Sequence, residues 1–326
     1  ASQAFCLVAS SMGGSVCETR PMIELSPHVG IVDTLLGGRP GLTGCCVVRG
    51  DRVAIVDPGA QTSAATVRDA LHAQGIGPDD LDEIVLTHIH LDHCGGTGDL
   101  AAAFPRARVH VHRRGVRHLA DPQRLVAASH VVYGDMAPVY GGLAPTPAER
   151  IVEAPDGHEV DLGGGVRLVM YETPGHAKHH MSVLETGDGT LMAGDALGVE
   201  LGGAGLYPST PPADIDVAAA RASIARLRDL APAVVGVSHF GAPTAGDVFA
   251  AADELWARMG EAALVGFRDG GPEGAAARVL ADVPMESAVA EGPGREMWEW
   301  LGWHRDNLDG LAAWADRQVN PPPPRE

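Results

Sequence analysis

Short apolar segments, punctuated by Gly, Pro and Asp, recur along the first half of the chain. Their composition and spacing predict the following strands: Val29–Leu36, Leu42–Arg49, Arg52–Asp57, Glu83–Thr87 and Arg108–His112. Helical spacing appears at Thr62–Gln74 and Asp99–Phe104. Residues 130–147 follow neither period, so we expect a long irregular loop of a kind that is often functional.

The same alternation returns in the second half of the chain. It predicts strands at Ile151–Glu153, Val166–Glu172, Met181–Glu185, Thr190–Ala193 and Ala233–Val237. Ala213–Leu230 has helical spacing, with Asp214 or Asp216 as the candidate N-cap. Strands and helices therefore follow one another once on each side of the middle, which favours an α/β fold with duplicated αββα layering.

After Thr244 the pattern becomes helical, at residues 247–268, 272–282 and 294–318. The last of these carries Trp298, Trp300, Trp303 and Trp314. These side chains either line a substrate entrance or pack the helices or a dimer interface, and we slightly favour packing. The chain ends in Pro-Pro-Pro-Pro-Arg-Glu, which is typical of a disordered or polyproline tail.

Composition narrows the class of protein. Of 326 residues, 45% are hydrophobic and 20% charged, as in soluble globular proteins, and no apolar run approaches the roughly 20 residues that span a bilayer. A net charge of −18 argues against a nucleic-acid partner. Five cysteines without a C-x-x-C pair, and no secretory pattern in residues 1–21, favour a reducing, cytoplasmic location.

The segment Thr87-His88-Ile89-His90-Leu91-Asp92-His93 follows an apolar strand and concentrates metal-ligand side chains. Imidazole and carboxylate suit zinc, iron or manganese. The competing interpretation is a solvated histidine-rich loop. Single ligand-type residues also follow three later strands: His176, Asp195 and His239. This repetition favours a metal site over histidines that satisfy local hydrogen bonds.

In this order, His88-x-His90-x-Asp92-His93, His176, Asp195 and His239 resemble the metallo-β-lactamase superfamily, and Val56-Asp57-Pro58-Gly59 resembles its early aspartate turn. The resemblance implies a four-layer αββα sandwich with a helical C-terminal extension. It covers a catalytic domain at 22–244, and the sequence pattern adds an N-terminal extension at 1–21, a helical region at 245–318 and a disordered tail at 319–326.

By that resemblance, two zinc ions bind, with iron or manganese as possible replacements. His88, His90 and His176 would hold the first metal. Asp92, His93 and His239 would hold the second, and Asp195 would bridge both. A bridging carboxylate is the pattern of the glyoxalase II and lactonase branches and departs from many antibiotic-cleaving members.

The implied activity is hydrolysis of an ester-like bond, a thioester or lactone of a small molecule. Two metals can hold a hydroxide between them for attack on a carbonyl carbon, and Asp92 would also shuttle the proton. One alternative is an iron-dependent oxidoreductase of the same fold, of the persulfide dioxygenase kind. A nuclease and a non-catalytic binding module are less favoured, and a homodimer remains open.

Other residues receive supporting roles. Asp57 is expected to orient a ligand histidine, against the alternative of a simple turn aspartate. His179 and His180 are expected to support the site. Tyr133 and Tyr140 would either cover the site or simply pack.

Overall fold

The computed structural model describes residues 22–200, 206–212, 214–243, 247–284, 296, 300 and 303–321. The predictions for residues 1–21, for the Pro-rich end at 322–326, and for Trp298 therefore lie outside the described residues.

The first sheet of the described residues has seven strands, in the order β1 to β7. They are β1 (Ile23–Glu24), β2 (Val29–Asp33), β3 (Gly44–Arg49), β4 (Val53–Val56), β5 (Leu81–Val85), β6 (Arg108–His112) and β7 (Ile151–Ala154). Strands β1 to β4 pair antiparallel, and β4 to β7 pair parallel. The parallel strands therefore end at one edge, where the histidine-rich segment follows β5.

The second sheet has the order β12-β11-β10-β9-β8. Its strands are β8 (His158–Gly163), β9 (Val166–Glu172), β10 (Met181–Glu185), β11 (Thr190–Met192) and β12 (Val234–Gly236). The sequence analysis missed β8, an edge strand whose His-Glu-Val-Asp-Leu-Gly segment buries only Val160 and Leu162 fully. Its inward face is too short to stand out as an apolar run.

Helices cover the outer faces of the two sheets. They are α1 (Ala64–Ala73), α2 (Leu91–Cys94), α3 (Thr97–Ala103), α4 (Val116–Ala120), α5 (Gln123–Tyr133), α6 (Ala137–Tyr140), α7 (Val217–Asp229), α8 (Val248–Asp282) and α9 (Trp303–Val319). One apolar cluster lies between the facing sides of the sheets. It includes Val48 from the first sheet and Met170 from the second. The remaining core packs helices on the outer sides, which confirms the αββα layering.

The expected irregular loop at residues 130–147 is helical as far as Tyr140, so that prediction was wrong over its first part. The reason is that α5 lies on the surface with no fully buried residue. Such a helix has no apolar stripe to reveal its period.

The C-terminal helices agree with the predicted spacing. Non-helical backbone at Gly270 and Gly271 breaks α8 before Pro272, as the separate helices 247–268 and 272–282 require. Helix α9 packs on α8, and Trp314 is buried there. Asp216 caps α7 by accepting the Ala219 N–H at 3.0 Å. None of the described helices is long and apolar enough to cross a membrane.

Candidate metal centre

All the ligand-type residues named from the sequence lie at one end of the two sheets. His88 and His90 follow β5, and Asp92 and His93 lie in the short helix α2. The later residues each follow a strand of the second sheet: His176 after β9, Asp195 after β11 and His239 after β12.

Three imidazoles form the first triad, His88, His90 and His176. The Nδ1 atom of His90 lies 3.1 Å from Nε2 of His88 and 2.9 Å from Nε2 of His176. His88 and His176 are buried, and His90 is half-buried. Three nitrogens therefore converge on one point, from positions 86 residues apart in the chain.

The second triad is Asp92, His93 and His239. The Nε2 atoms of the two histidines are 3.1 Å apart. Oδ2 of Asp92 lies 3.5 Å from Nε2 of His239 and 3.7 Å from Nε2 of His93. This triad therefore combines two nitrogens with a carboxylate.

Asp195 lies between the triads and turns one oxygen toward each. Its Oδ1 is 3.4 Å from Nε2 of His93 and 3.6 Å from Nε2 of His239, whereas its Oδ2 is 3.6 Å from Nε2 of His176. Oδ1 is buried and has no hydrogen-bond partner. A buried carboxylate oxygen in this state requires a cation beside it.

Hydrogen-bond partners assign the ring tautomers of three of the histidines. Nδ1–H of His176 donates to the Ser209 carbonyl at 2.9 Å, and Nδ1–H of His239 donates to the Leu42 carbonyl at 2.7 Å. Nδ1–H of His88 donates to the Thr87 hydroxyl at 3.0 Å. Their Nε2 atoms are then acceptors that point into the triads, an arrangement that fits bound divalent cations.

Asp57 accepts hydrogen bonds from His93 of the second triad and from two neighbouring residues. Its Oδ1 accepts the Thr87 N–H at 2.8 Å, and its Oδ2 accepts Nδ1–H of His93 at 2.9 Å, the Thr87 hydroxyl at 2.6 Å and the Ser238 hydroxyl at 3.2 Å. Asp57 also lies close enough to His88 and His93 to join a metal group. Its oxygens are already occupied by these donors, however, so its position fits the orienting role expected from the sequence.

His180 positions the loop that carries Asp195. Its Nε2 accepts the Asp195 N–H at 3.0 Å, so the ring proton is on Nδ1, which donates to the Thr173 hydroxyl at 2.8 Å. Thr173 then donates to Ser182 at 3.0 Å, and Ser182 donates to the Ala193 carbonyl at 2.9 Å. This chain of hydrogen bonds gives His180 the supporting role expected from the sequence.

The two triads differ in the protonation of their histidines. Burial, with the neighbouring histidines, lowers the pKa of His88 and of His90 well below the ordinary value. Burial acts on His93 in the same direction, but the surrounding aspartates outweigh it and raise its pKa to about 10. Burial would raise the pKa of Asp195, yet the adjacent histidines lower it to about 2. The centre therefore needs a cation at the second triad, either a proton or a metal ion.

Sequence reasoning missed several of the groups that orient these ligands. Thr87 and Ser238 were visible beside ligand positions, since each immediately precedes a ligand histidine. The carbonyls of Leu42 and Ser209 carried no signal, because any residue can supply a carbonyl. Tyr133 and Tyr140 stack with ring centroids 4.0 Å apart, and Tyr140 is buried, which supports packing for Tyr140.

The family model described as "Metallo-beta-lactamase superfamily" matches residues 38–239, which include every member of both triads and Asp195. The chain belongs to the metallo-β-lactamase superfamily. Members of this superfamily are generally metal-dependent hydrolases, and they typically bind two metal ions.

Individual relatives resemble part of the chain. A metallo-β-lactamase fold-containing protein of Sulfurisphaera tokodaii is 39% identical over 167 residues, covering 50% of this chain and 62% of that protein. A hydroxyacylglutathione hydrolase of Xanthomonas campestris pv. campestris is 29% identical over 179 residues, covering 55% and 54%. The crystal structure of an archaeal superfamily protein from Sulfolobus tokodaii matches with a TM-score of 0.63 and 27% identity, covering 83% of this chain and 93% of that one. The matches to these two sequences thus span less than two thirds of either relative.

Proposed function

We propose that this protein hydrolyses an ester-like bond, a thioester or lactone, in a small acyl compound, with two divalent cations held by the two triads and Asp195. The observation that carries the proposal is Asp195, whose oxygens lie 3.4 Å and 3.6 Å from histidine nitrogens of opposite triads. When bound, the two ions would polarise a carbonyl oxygen and lower the pKa of a water molecule toward neutrality.

The protein's own residues supply position and proton transfer. Asp195 fixes the spacing of the triads, and Asp57 and the carbonyls of Leu42 and Ser209 fix the ring orientations. Asp92 is the more exposed of the two central carboxylates, with 12% of its side chain exposed against 4% for Asp195. This exposure supports Asp92 as the group that accepts a proton from the attacking water and returns it to the leaving group.

The thioester preference draws on the hydroxyacylglutathione hydrolases among the relatives, whose name specifies an acylated thiol. The second triad favours this proposal over an iron-dependent oxidoreductase with a single ion. Such a centre needs only the first triad and Asp195, whereas here Asp92, His93 and His239 also converge. We propose zinc as the metal, with iron or manganese as replacements that this donor set accepts.

The test combines elemental analysis of the purified protein with thioester and lactone hydrolysis by the same sample. We expect about two zinc ions per chain and turnover of one substrate class. Asp195→Asn keeps the shape but removes the shared charge, so it should lose metal and most activity. Asp69→Asn, at an exposed position of α1, is the matched control and should keep both. One iron per chain with oxygen consumption and no hydrolysis would overturn the proposal.

A further inference from the structure

A loop joins β2 to β3 and contacts His239 of the metal centre through the Leu42 carbonyl. Asp33 closes its base, because Oδ1 accepts the Leu35 N–H at 3.0 Å and Oδ2 accepts the Gly41 N–H at 2.8 Å. Both ends of the loop are therefore held by one carboxylate. Arg39 lies within this closed loop and is half-buried.

The guanidinium of Arg39 stacks on Trp300 from the C-terminal region, with Cζ 4.5 Å from the ring centroid. The indole also lies against Gly37, where a Cβ would collide with Cη2 of Trp300 and lie 3.1 Å from Val139. The loop and the indole thus meet without intervening side chains. Stacking of this kind occupies the flat face of a guanidinium and leaves its N–H edge available.

No carboxylate among the described residues pairs with Arg39. This is notable in a chain with 42 acidic and 24 basic residues. By contrast, Arg52 and Arg108 both pair with the buried Glu83. The N–H edge of Arg39 therefore has unused donors in the geometry that binds a carboxylate with two parallel hydrogen bonds.

The position of the loop connects Arg39 to the metal centre. The Leu42 carbonyl, three residues beyond Arg39, accepts Nδ1–H of His239 at 2.7 Å. The loop that carries Arg39 therefore ends in contact with a histidine of the second triad.

We infer that Arg39, held flat by Trp300, binds a carboxylate of the substrate, so that the preferred substrates are acyl compounds with a negative charge remote from the bond that is cleaved. This inference rests on the proposed hydrolase function. It assigns the substrate class and gives Trp300 a role at the substrate entrance in addition to packing.

The activity test compares two thioesters of one thiol, a glutaryl ester and the neutral glutaramyl ester of equal length. The wild-type protein should show about tenfold higher kcat/KM for the charged compound, mainly through KM. Arg39→Ala should abolish this preference by lowering kcat/KM for the charged ester, and Arg39→Lys should keep part of it. Arg68→Ala, which removes a surface arginine paired with the adjacent Asp69, is the matched control and should keep the preference.

A binding test separates this inference from the hydrolase proposal. Glutarate titrated into the zinc-loaded protein should quench tryptophan fluorescence, and Trp300→Phe should lose most of that signal. Arg39→Ala should bind glutarate at least about tenfold more weakly. Equal affinity in the wild-type protein and Arg39→Ala, or equal turnover of both esters, would overturn the inference and leave the hydrolase proposal standing. Hydrolysis of no ester would reject the hydrolase proposal, while the titration still decides the carboxylate site.

Discussion

The two triads differ in the groups that accept hydrogen bonds from the Nδ1–H of their histidines. In the first triad, His88 and His176 donate to neutral groups, the Thr87 hydroxyl and the Ser209 carbonyl. In the second, His93 donates to the carboxylate of Asp57. A neutral acceptor fixes a ring, whereas a carboxylate also makes the opposite nitrogen more basic. Metal ions held by the two triads would therefore differ in affinity.

The charge difference has a second consequence for metal binding. At neutral pH the rings of the first triad are uncharged, because burial lowers the pKa of His88 and His90. The metal-free second triad holds a proton, because the aspartates around His93 raise its pKa to about 10 despite burial. A metal ion entering the second triad must displace that proton, and an ion entering the first does not.

The largest effect should come from removing one triad at a time. His176→Ala and His239→Ala should each reduce the metal content from about two ions to about one, measured by elemental analysis. Since each bound ion would stabilise the transition state by several kcal/mol, either change should lower kcat at least about 100-fold. Two ions retained with full activity in either variant would contradict the assignment of that triad.

A smaller effect on metal binding should follow from changing only Asp57, the carboxylate that accepts the hydrogen bond from His93. Asp57→Asn keeps the size of the side chain but removes the charge that faces His93. We expect about a 10- to 100-fold loss of metal affinity at the second triad, with the first little changed. The measurement is competitive titration against a chelator, and Asp161→Asn, on the exposed face of β8, provides the control.

The pH dependence of binding should separate the triads further. In the His176→Ala variant, the second triad should bind metal about tenfold more tightly per pH unit between pH 7 and 9, because each ion that binds displaces the proton on His93. In the His239→Ala variant, the first triad should show little change over that range. Chelator competition at each pH measures both slopes, and identical slopes would remove the proposed charge difference.

The same protonation affects folding of the metal-free protein. The folded-state pKa of His93, about 10, lies above the ordinary value of 6.5. Its protonation therefore stabilises the fold fully below pH 6.5, and this contribution is lost as the pH rises through about 10. Urea unfolding of the metal-free protein should show a decline over this window that His93→Gln lacks.

The smallest effect should come from removing the hydrogen bonds that position the Asp195 backbone. Asp195 lies between the triads. His180→Ala leaves the buried N–H of Asp195 without an acceptor, and this should destabilise the protein by about 1–3 kcal/mol. Ser182→Ala should cost less, and the double variant should cost less than the sum, since both belong to one set of hydrogen bonds. Additive costs in urea unfolding would show that the two side chains act independently.

Much of the sheet structure could be predicted because inward-facing positions leave a clear pattern. Segments such as Val166–Glu172 and Met181–Glu185 match the strands of the structure at both ends. Strand β8 and helix α5 were missed for a shared reason, since both expose most of their residues. An element that buries little carries little hydrophobic period.

The sequence by itself determined the ligand types and their order. It also determined that each ligand follows a strand, because strand ends are marked by apolar runs that stop at polar residues. Tertiary structure alone decided the geometry: that His90 meets His176, that the two oxygens of Asp195 face opposite triads, and that Trp300 covers Arg39. These contacts join positions far apart in the chain, and their directions depend on how the two sheets and the C-terminal helices pack, which local sequence does not encode.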